Sequence, residues 1–297
     1  MFLAGGIGLV IALVVWRNVH IRRLTTVSMD RRRLGPDGVV VGGEGFVLER
    51  PNAPAILLLH GAGDTPQTLR YLANDLYARG FHVKAPLLPG HGRSVTDFAR
   101  VTADALLGAS REHYRELTST HAWVGVIGLS MGGALAVSLA AESPKMPALG
   151  LIAPYLDMPP KIAKAADLAW LWGWLTPVVA STEGRSILNP DEARQNLAYG
   201  IFTVNALRAL REVVRKAVES LPEVVAPTLI VQSRTDNRID PSVAERAFAR
   251  LGAREKRLEW TTGAAHVITV DYGYEHVVML AGEWMRHYAL PQLHPVQ

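Results

Sequence analysis

Gly128-Leu129-Ser130-Met131-Gly132-Gly133 is the stretch on which the reading of this sequence turns. It follows an unbroken apolar run at 123–129 and precedes an alanine-rich run at 131–141. The first run is too short for a helix and reads as a strand buried on both faces; the second reads as a helix. Ser130 therefore falls on a strand-to-helix turn with a glycine two residues away on each side. A turn this tight puts the serine in sparsely populated backbone angles, and neighbours without side chains let strand and helix close on one another. The hydroxyl then projects at the carboxyl edge of the sheet, where open parallel sheets bind ligands. The helix N-terminus beneath it favours developing negative charge. A bare G-x-S-x-G describes a packing turn as well as it describes a nucleophile. The strand before it and the helix after it make Ser130 a candidate nucleophile.

The same alternation extends to either side. Short opening strands are expected at 39–41 and 45–48, parted by Gly42-Gly43, and buried strands at 55–59, 81–85 and 149–153. Two more are expected at 228–232 and 256–260. Helices are expected at 65–79, 102–118, 243–251 and 274–288. Strands alternating with helices predict an α/β fold: a mostly parallel central sheet with helices on both faces. The core is expected to span 38–154 and 222–290. Residues 155–221 break the rhythm, with no convincing strand, the cluster Trp170-Leu171-Trp172-Gly173-Trp174 and a helix from about Asn205 to Leu221. They read as a small helical cap inserted over the site.

A serine needs a base, and the base needs an orienting acid. Behind an elbow of this type the chain order is serine, acid, histidine. Asp236 follows the strand at 228–232, and His266 stands on the loop after the strand at 256–260, so both reach the same sheet edge. Asp240 is the rival acid, but the proline after it marks it as a helix cap. The oxyanion hole requires two backbone N–H donors, expected from Met131 and from Ala62 in the loop His60-Gly61-Ala62-Gly63. His60 and His91 read as loop-shaping residues. His82, His113, His121, His276 and His287 read as surface or packing residues. No ligand spacing of the H-E-x-x-H kind occurs, so neither metal nor cofactor is expected.

Bulk composition sets outer bounds. The chain has 297 residues, 49% hydrophobic and 20% charged, long enough to bury a sizeable core. The absence of cysteine excludes disulfides, thiol nucleophiles and thiolate metal sites. The net charge of +4 owes much to Arg17, Arg22, Arg23, Arg31, Arg32 and Arg33, so no nucleic-acid groove is expected. Residues 1–16 carry no charged side chain. Residues 1–23 read as an uncleaved membrane anchor, and the arginines after it place the catalytic domain on the cytoplasmic side. A signal peptide leading to a secreted or periplasmic enzyme, or a helix packed on a soluble cytoplasmic domain, are the alternatives.

The loop at His60, the run Pro89-Gly90-His91-Gly92, the Ser130 elbow, the run 226–236 and His266-Val267-Ile268-Thr269-Val270-Asp271 together resemble the bacterial carboxylesterase and monoacylglycerol lipase branch of the α/β-hydrolases. The resemblance covers about residues 40–290. It implies an α/β-hydrolase fold with a small helical cap, a triad of Ser130, Asp236 and His266, and oxyanion donors at Ala62 and Met131. It further implies a small-molecule ester substrate, a short- to medium-chain ester or a monoglyceride, and the tryptophan-rich cap and apolar N-terminal segment point to an apolar acyl group. Ala62 stands where the family often has an aromatic residue, so acyl-length preference does not carry over. A thioesterase, acyltransferase or peptidase on the same triad, and an inactive membrane-tethered binding module, are the competing readings.

Overall fold

The computed structural model describes residues 2–30, 32–181 and 186–293, the side chains of 2–10 and 291–293 excepted. The strands are β1 (Phe46–Leu48), β2 (Ala55–Leu59), β3 (His82–Ala85), β4 (Val124–Leu129), β5 (Leu149–Ile152), β6 (Val178–Ala180), β7 (Ile201–Thr203), β8 (Thr228–Ser233) and β9 (Lys256–Thr261). The longer helices are α1 (Phe2–Met29), α2 (Arg70–Ala78), α4 (Ala103–Thr120), α5 (Met131–Glu142), α9 (Val204–Ser220), α10 (Ser242–Arg250) and α11 (Tyr274–Leu293). Between them lie the short α3 (Val95–Phe98), α6 (Pro160–Asp167), α7 (Ala169–Trp172) and α8 (Pro190–Gln195).

Seven strands form one sheet in the order β1-β3-β2-β4-β5-β8-β9. Only β1 runs antiparallel to its neighbour; the remaining pairings are parallel. The strands nearest the middle explain their own position. β2 and β4 are apolar at nearly every residue and buried at all of them, so both faces have to be covered. α2 and α11 pack on one face around Leu72, Leu76, Val277 and Met285. α4, α5, α9 and α10 pack on the other around Leu106, Leu135, Val213 and Val243. The turns are chemically punctuated: Thr102 caps α4 by accepting from Ala105 N at 3.1 Å, and Thr203 caps α9 by accepting from Ala206 N at 3.2 Å. The elbow at Ser130, the Asp236 loop and the His266 loop follow β4, β8 and β9, which brings all three to the carboxyl edge of the sheet.

Four expectations need correcting. Residues 39–41 make no strand, only an isolated antiparallel bridge between Leu34 and Val40. Gly38 and Gly42 bracket them with positive φ of 74° and 85°, which turns the chain away before a ladder can form. The insertion is not purely helical: β6 and β7 pair antiparallel within it. Each has three residues, too few for alternation to show in sequence. α9 is not only lid, since Val213, Val214 and Ala217 join the buried cluster that includes α4 and α5. Lastly, α1 runs to Met29, beyond the expected 1–23, and its end is part of the fold: Ile21, Leu24 and Met29 pack against the core. Met1 and the side chains of 2–10, which make up most of the apolar run 1–16, lie outside the described residues. Among the described residues no helix is long and apolar enough to cross a membrane, and nothing there supports the anchor.

Candidate active site

Ser130 sits at the junction of β4 and α5 with φ 55° and ψ −118°. The glycines around it are required by space. A Cβ on Gly128 would stand 2.1 Å from the Gly132 carbonyl oxygen, and one on Gly132 would stand 2.0 Å from that of Leu59. Side chains at either position would drive the helix off the strands.

The Ser130 hydroxyl lies 2.8 Å from His266 Nε2, and His266 Nδ1 lies 2.7 Å from Asp236 Oδ2. With the Nδ1 proton donated to the carboxylate, Nε2 is left to accept from the hydroxyl. Asp236 is held from three further directions. Its Oδ1 accepts from Arg238 N at 2.8 Å and Ile239 N at 3.2 Å, and Oδ2 accepts from Gln232 Nε2 at 2.8 Å. Burial works against its charge, but His266 and the two backbone donors prevail and hold the carboxyl below its ordinary value. The rival Asp240 is exposed, and its carboxylate accepts from Ser242 N at 2.9 Å at the start of α10. The structure thus joins Ser130, His266 and Asp236 and leaves Asp240 as a cap.

Met131 is the first residue of α5, where N–H groups have no acceptor within the helix. Ala62 borders the same space as Ser130 and His266. The Ala62 loop is set from below by His60, whose Nδ1 donates to the Gly61 carbonyl at 2.9 Å while Nε2 accepts from Leu88 N at 3.0 Å. Burial, reinforced by His91, lowers the His60 pKa to about 3; burial lowers that of His91 to about 4. Both rings are neutral fixtures of the loops beneath the site, as their placement in sequence led us to expect.

Three further residues matter that sequence reasoning did not single out. Asp271 is fully buried, and its carboxylate accepts from four backbone groups: Leu188 N, Asn189 N, Ala265 N and Tyr272 N, at 2.7–3.0 Å. It fastens the residue before His266 to a stretch within the insertion. Ser186 completes that seam, its carbonyl accepting from His266 N at 3.1 Å and Val267 N at 2.9 Å. Arg238 donates from Nε to the Ser186 hydroxyl at 2.7 Å, tying the acid loop to the same segment. Asp271 stood inside the run 266–271 that carries the family likeness, but its partners are peptide groups and leave no side-chain signature.

Two cavities meet at the serine. One, of about 640 Å³, lies under the insertion and is walled chiefly by Tyr155, Ile162, Trp172, Phe202, Leu207 and Leu210. The other, of about 1120 Å³, is lined by Asp64, Arg194 and Arg238 among others. Asp64 is buried, and burial pushes its pKa up to about 6 against the pull of the Thr68 hydroxyl and Thr65 N–H that it accepts.

Comparison with known proteins bears on the family and the fold. Residues 50–272 match the family model described as serine aminopeptidase, S33. The chain is 30% identical over 252 residues to a thermostable monoacylglycerol lipase of Bacillus sp. (strain H-257), covering 84% of this chain and 97% of that one. It is 24% identical over 219 residues to a carboxylesterase of Bacillus subtilis (strain 168), covering 73% of this chain and 86% of that one. Among solved structures, one from a study of the metagenome-derived lipolytic enzymes LipS and LipT superposes with a TM-score of 0.77 at 27% identity, over 86% of this chain and all of that one. The Paleococcus ferrophilus monoacylglycerol lipase superposes at 0.72 over 82% of this chain and 98% of its own, with 22% identity, and so speaks for the fold alone. An elbow serine, the sheet order and a match over most of the chain all lead to one conclusion: the chain belongs to the serine aminopeptidase S33 family and has the α/β-hydrolase fold.

Proposed function

We propose that Ser130, His266 and Asp236 form a catalytic triad that hydrolyses esters of medium-length apolar acids, monoacylglycerols among them. The chain is a carboxylic ester hydrolase. The observation that carries the residue assignment is the pair of contacts at 2.8 and 2.7 Å that link hydroxyl, imidazole and carboxylate in order. Ser130 attacks the ester carbonyl as His266 takes its proton. Asp236 keeps the imidazole in the required tautomer and stabilises the cation that forms. Ala62 N–H and Met131 N–H receive the oxyanion; one such donor is worth on the order of 10²–10³ in rate. His266 then protonates the leaving alcohol and activates the water that frees the acid.

The apolar cavity under the insertion supports an apolar acyl group. Tyr155, Ile162, Trp172, Phe202, Leu207 and Leu210 give it a largely apolar wall; Lys161 and Arg238 are its charged lining residues, and no carboxylate is among the described residues that line it. Ala62 contributes only a methyl group to that wall. The family description favours a second reading, peptide hydrolysis by the same groups. One panel separates the two: p-nitrophenyl esters of graded chain length beside aminoacyl amides, with fluorophosphonate labelling as a check on Ser130. Esters are expected to turn over and Ser130 to be labelled. Activity confined to amides would overturn the ester reading, and an unlabelled Ser130 would overturn the triad.

A further inference from the structure

β8 is buried along its whole length and apolar through Leu229, Ile230 and Val231, yet it ends on Gln232 and Ser233. Ser233 has a clear partner, its hydroxyl donating to the Ala264 carbonyl at 2.6 Å. Gln232 is the less ordinary of the two. It is fully buried, and a long amide inside a sheet is tolerated where its polar atoms meet partners. Only one end of this amide is well served. Nε2 donates to Asp236 Oδ2 at 2.8 Å, with a long second contact of 3.4 Å to the Ser233 carbonyl. Oε1 is buried and accepts from no described group. Turning the amide over would set two acceptors against each other at the carboxylate, so the acid dictates its orientation. A methionine of the same length would avoid the unsatisfied carbonyl. What the amide does with its N–H therefore has to explain its presence.

An ionised carboxylate offers about four acceptor positions. On Asp236, Arg238 N and Ile239 N bind Oδ1, and His266 Nδ1 binds Oδ2 at 2.7 Å. Gln232 supplies the fourth donor. The Asp236 side chain has 0% solvent exposure, so bulk water has no access to take the place of that donor. Oδ2 is also the oxygen through which acid and base communicate. A second donor on it draws charge away from the bond to the imidazole, and an imidazolium is favoured by the negative charge it faces.

We propose that Gln232 is a positioning residue of the triad: by taking the last acceptor position of Asp236 it fixes the carboxylate and weakens its pull on the imidazolium, which extends hydrolysis to lower pH. This rests on the triad reading given above. Four other charged or titratable groups face the pair. Arg238 stands on the acid's own loop, Tyr155 follows β5 with Asp157 beyond it, and Asp64 faces His266 from the loop after β2. Substitution at Gln232 leaves all four in place, so a difference between variants and unsubstituted chain belongs to the amide.

The test uses the full chain with Gln232→Met, which keeps length and removes the donor, and Gln232→Leu as a second apolar variant. Profiles of kcat/KM against pH are measured on p-nitrophenyl decanoate, with near-ultraviolet circular dichroism as the check on folding. The acid limb is expected to move to higher pH by about half a unit or more in both variants, with the plateau within about threefold of the unsubstituted chain's. The Nδ1–H proton resonance of His266 reports the same bond without turnover and is expected to move downfield. A limb that moves less than about half a unit, or an unmoved resonance, would overturn the proposal and leave Gln232 a packing residue, whatever the plateau does. Failure of both variants to fold would assign it to packing as well. If fluorophosphonate does not label Ser130 in the unsubstituted chain, the triad reading itself fails, and the role of Gln232 goes with it.

Discussion

Ser130 presents its hydroxyl to His266 only because its backbone holds a positive φ of 55°, which costs a residue with a side chain about 1–3 kcal/mol. Two variants separate the chemistry of that residue from its strain. Ser130→Ala and Ser130→Gly are both expected to lose turnover by about 10⁴-fold or more, together with fluorophosphonate labelling. Ser130→Gly is expected to be the more stable of the two by about 1 kcal/mol, read as a higher urea midpoint, because glycine accepts the left-handed angles without a Cβ clash. Much of the candidate site was legible at this scale. Ser130 and Asp236 each follow a strand that is apolar enough to be recognised, and His266 follows β9, where Leu258 and Trp260 alternate with Arg257 and Glu259, so their convergence on one edge follows from topology. Asp271 and Ser186 were not legible, because they act on peptide groups that any sequence supplies.

Between residue and molecule, the seam along 186–189 joins the insertion to the histidine loop. Asp271 is its centre, with four backbone donors on one carboxylate. In Asp271→Asn one of the accepting oxygens becomes a donor facing donors, which leaves a buried N–H unsatisfied and frees the loop before His266. We expect kcat to fall by about 10–10²-fold with KM little changed, since displacements of about 1 Å at the base suffice for such losses. Steady-state kinetics beside near-ultraviolet circular dichroism checks this; unchanged kcat in a folded variant would remove Asp271 from the positioning of His266. The elements that sequence described well are those whose patterns run long, such as β4, α4 and α11. β6 and β7 escaped because three residues carry no period, 39–41 reads as a strand where only a bridge forms for the same reason, and the packing of α9 on α5 escaped because an amphipathic helix does not say which neighbour covers it.

For the molecule as a whole, acid stability follows from the buried histidines beneath the site. His60 and His91 have folded pKa values of about 3 and about 4, against 6.5 when unfolded. Below pH 6.5 the unfolded chain takes up protons that the folded one refuses, so stability present at neutral pH drains away as the pH falls through these values. Asp64 acts the other way. Its folded pKa of about 6 lies above the unfolded 3.8, so it lends relative stability as the pH drops through that interval. Two groups against one give a net loss of stability as the pH falls below 6.5, with a smaller return from Asp64. Urea midpoints measured from neutral to acid pH are expected to decline accordingly, and to decline less for His91→Gln; a flat profile would contradict the buried neutral rings. The order of the sheet has a consequence for how the chain is made. β1 to β5 leave the ribosome first, and the outer side of β5, buried at every residue in the finished protein, finds its partner only when β8 arrives after the whole insertion. During that interval the nascent chain displays a bare, apolar strand edge of the kind that recruits other chains. The period in which this enzyme is vulnerable to aggregation is thus set by the time needed to translate residues 153–227, and a longer insertion would lengthen it.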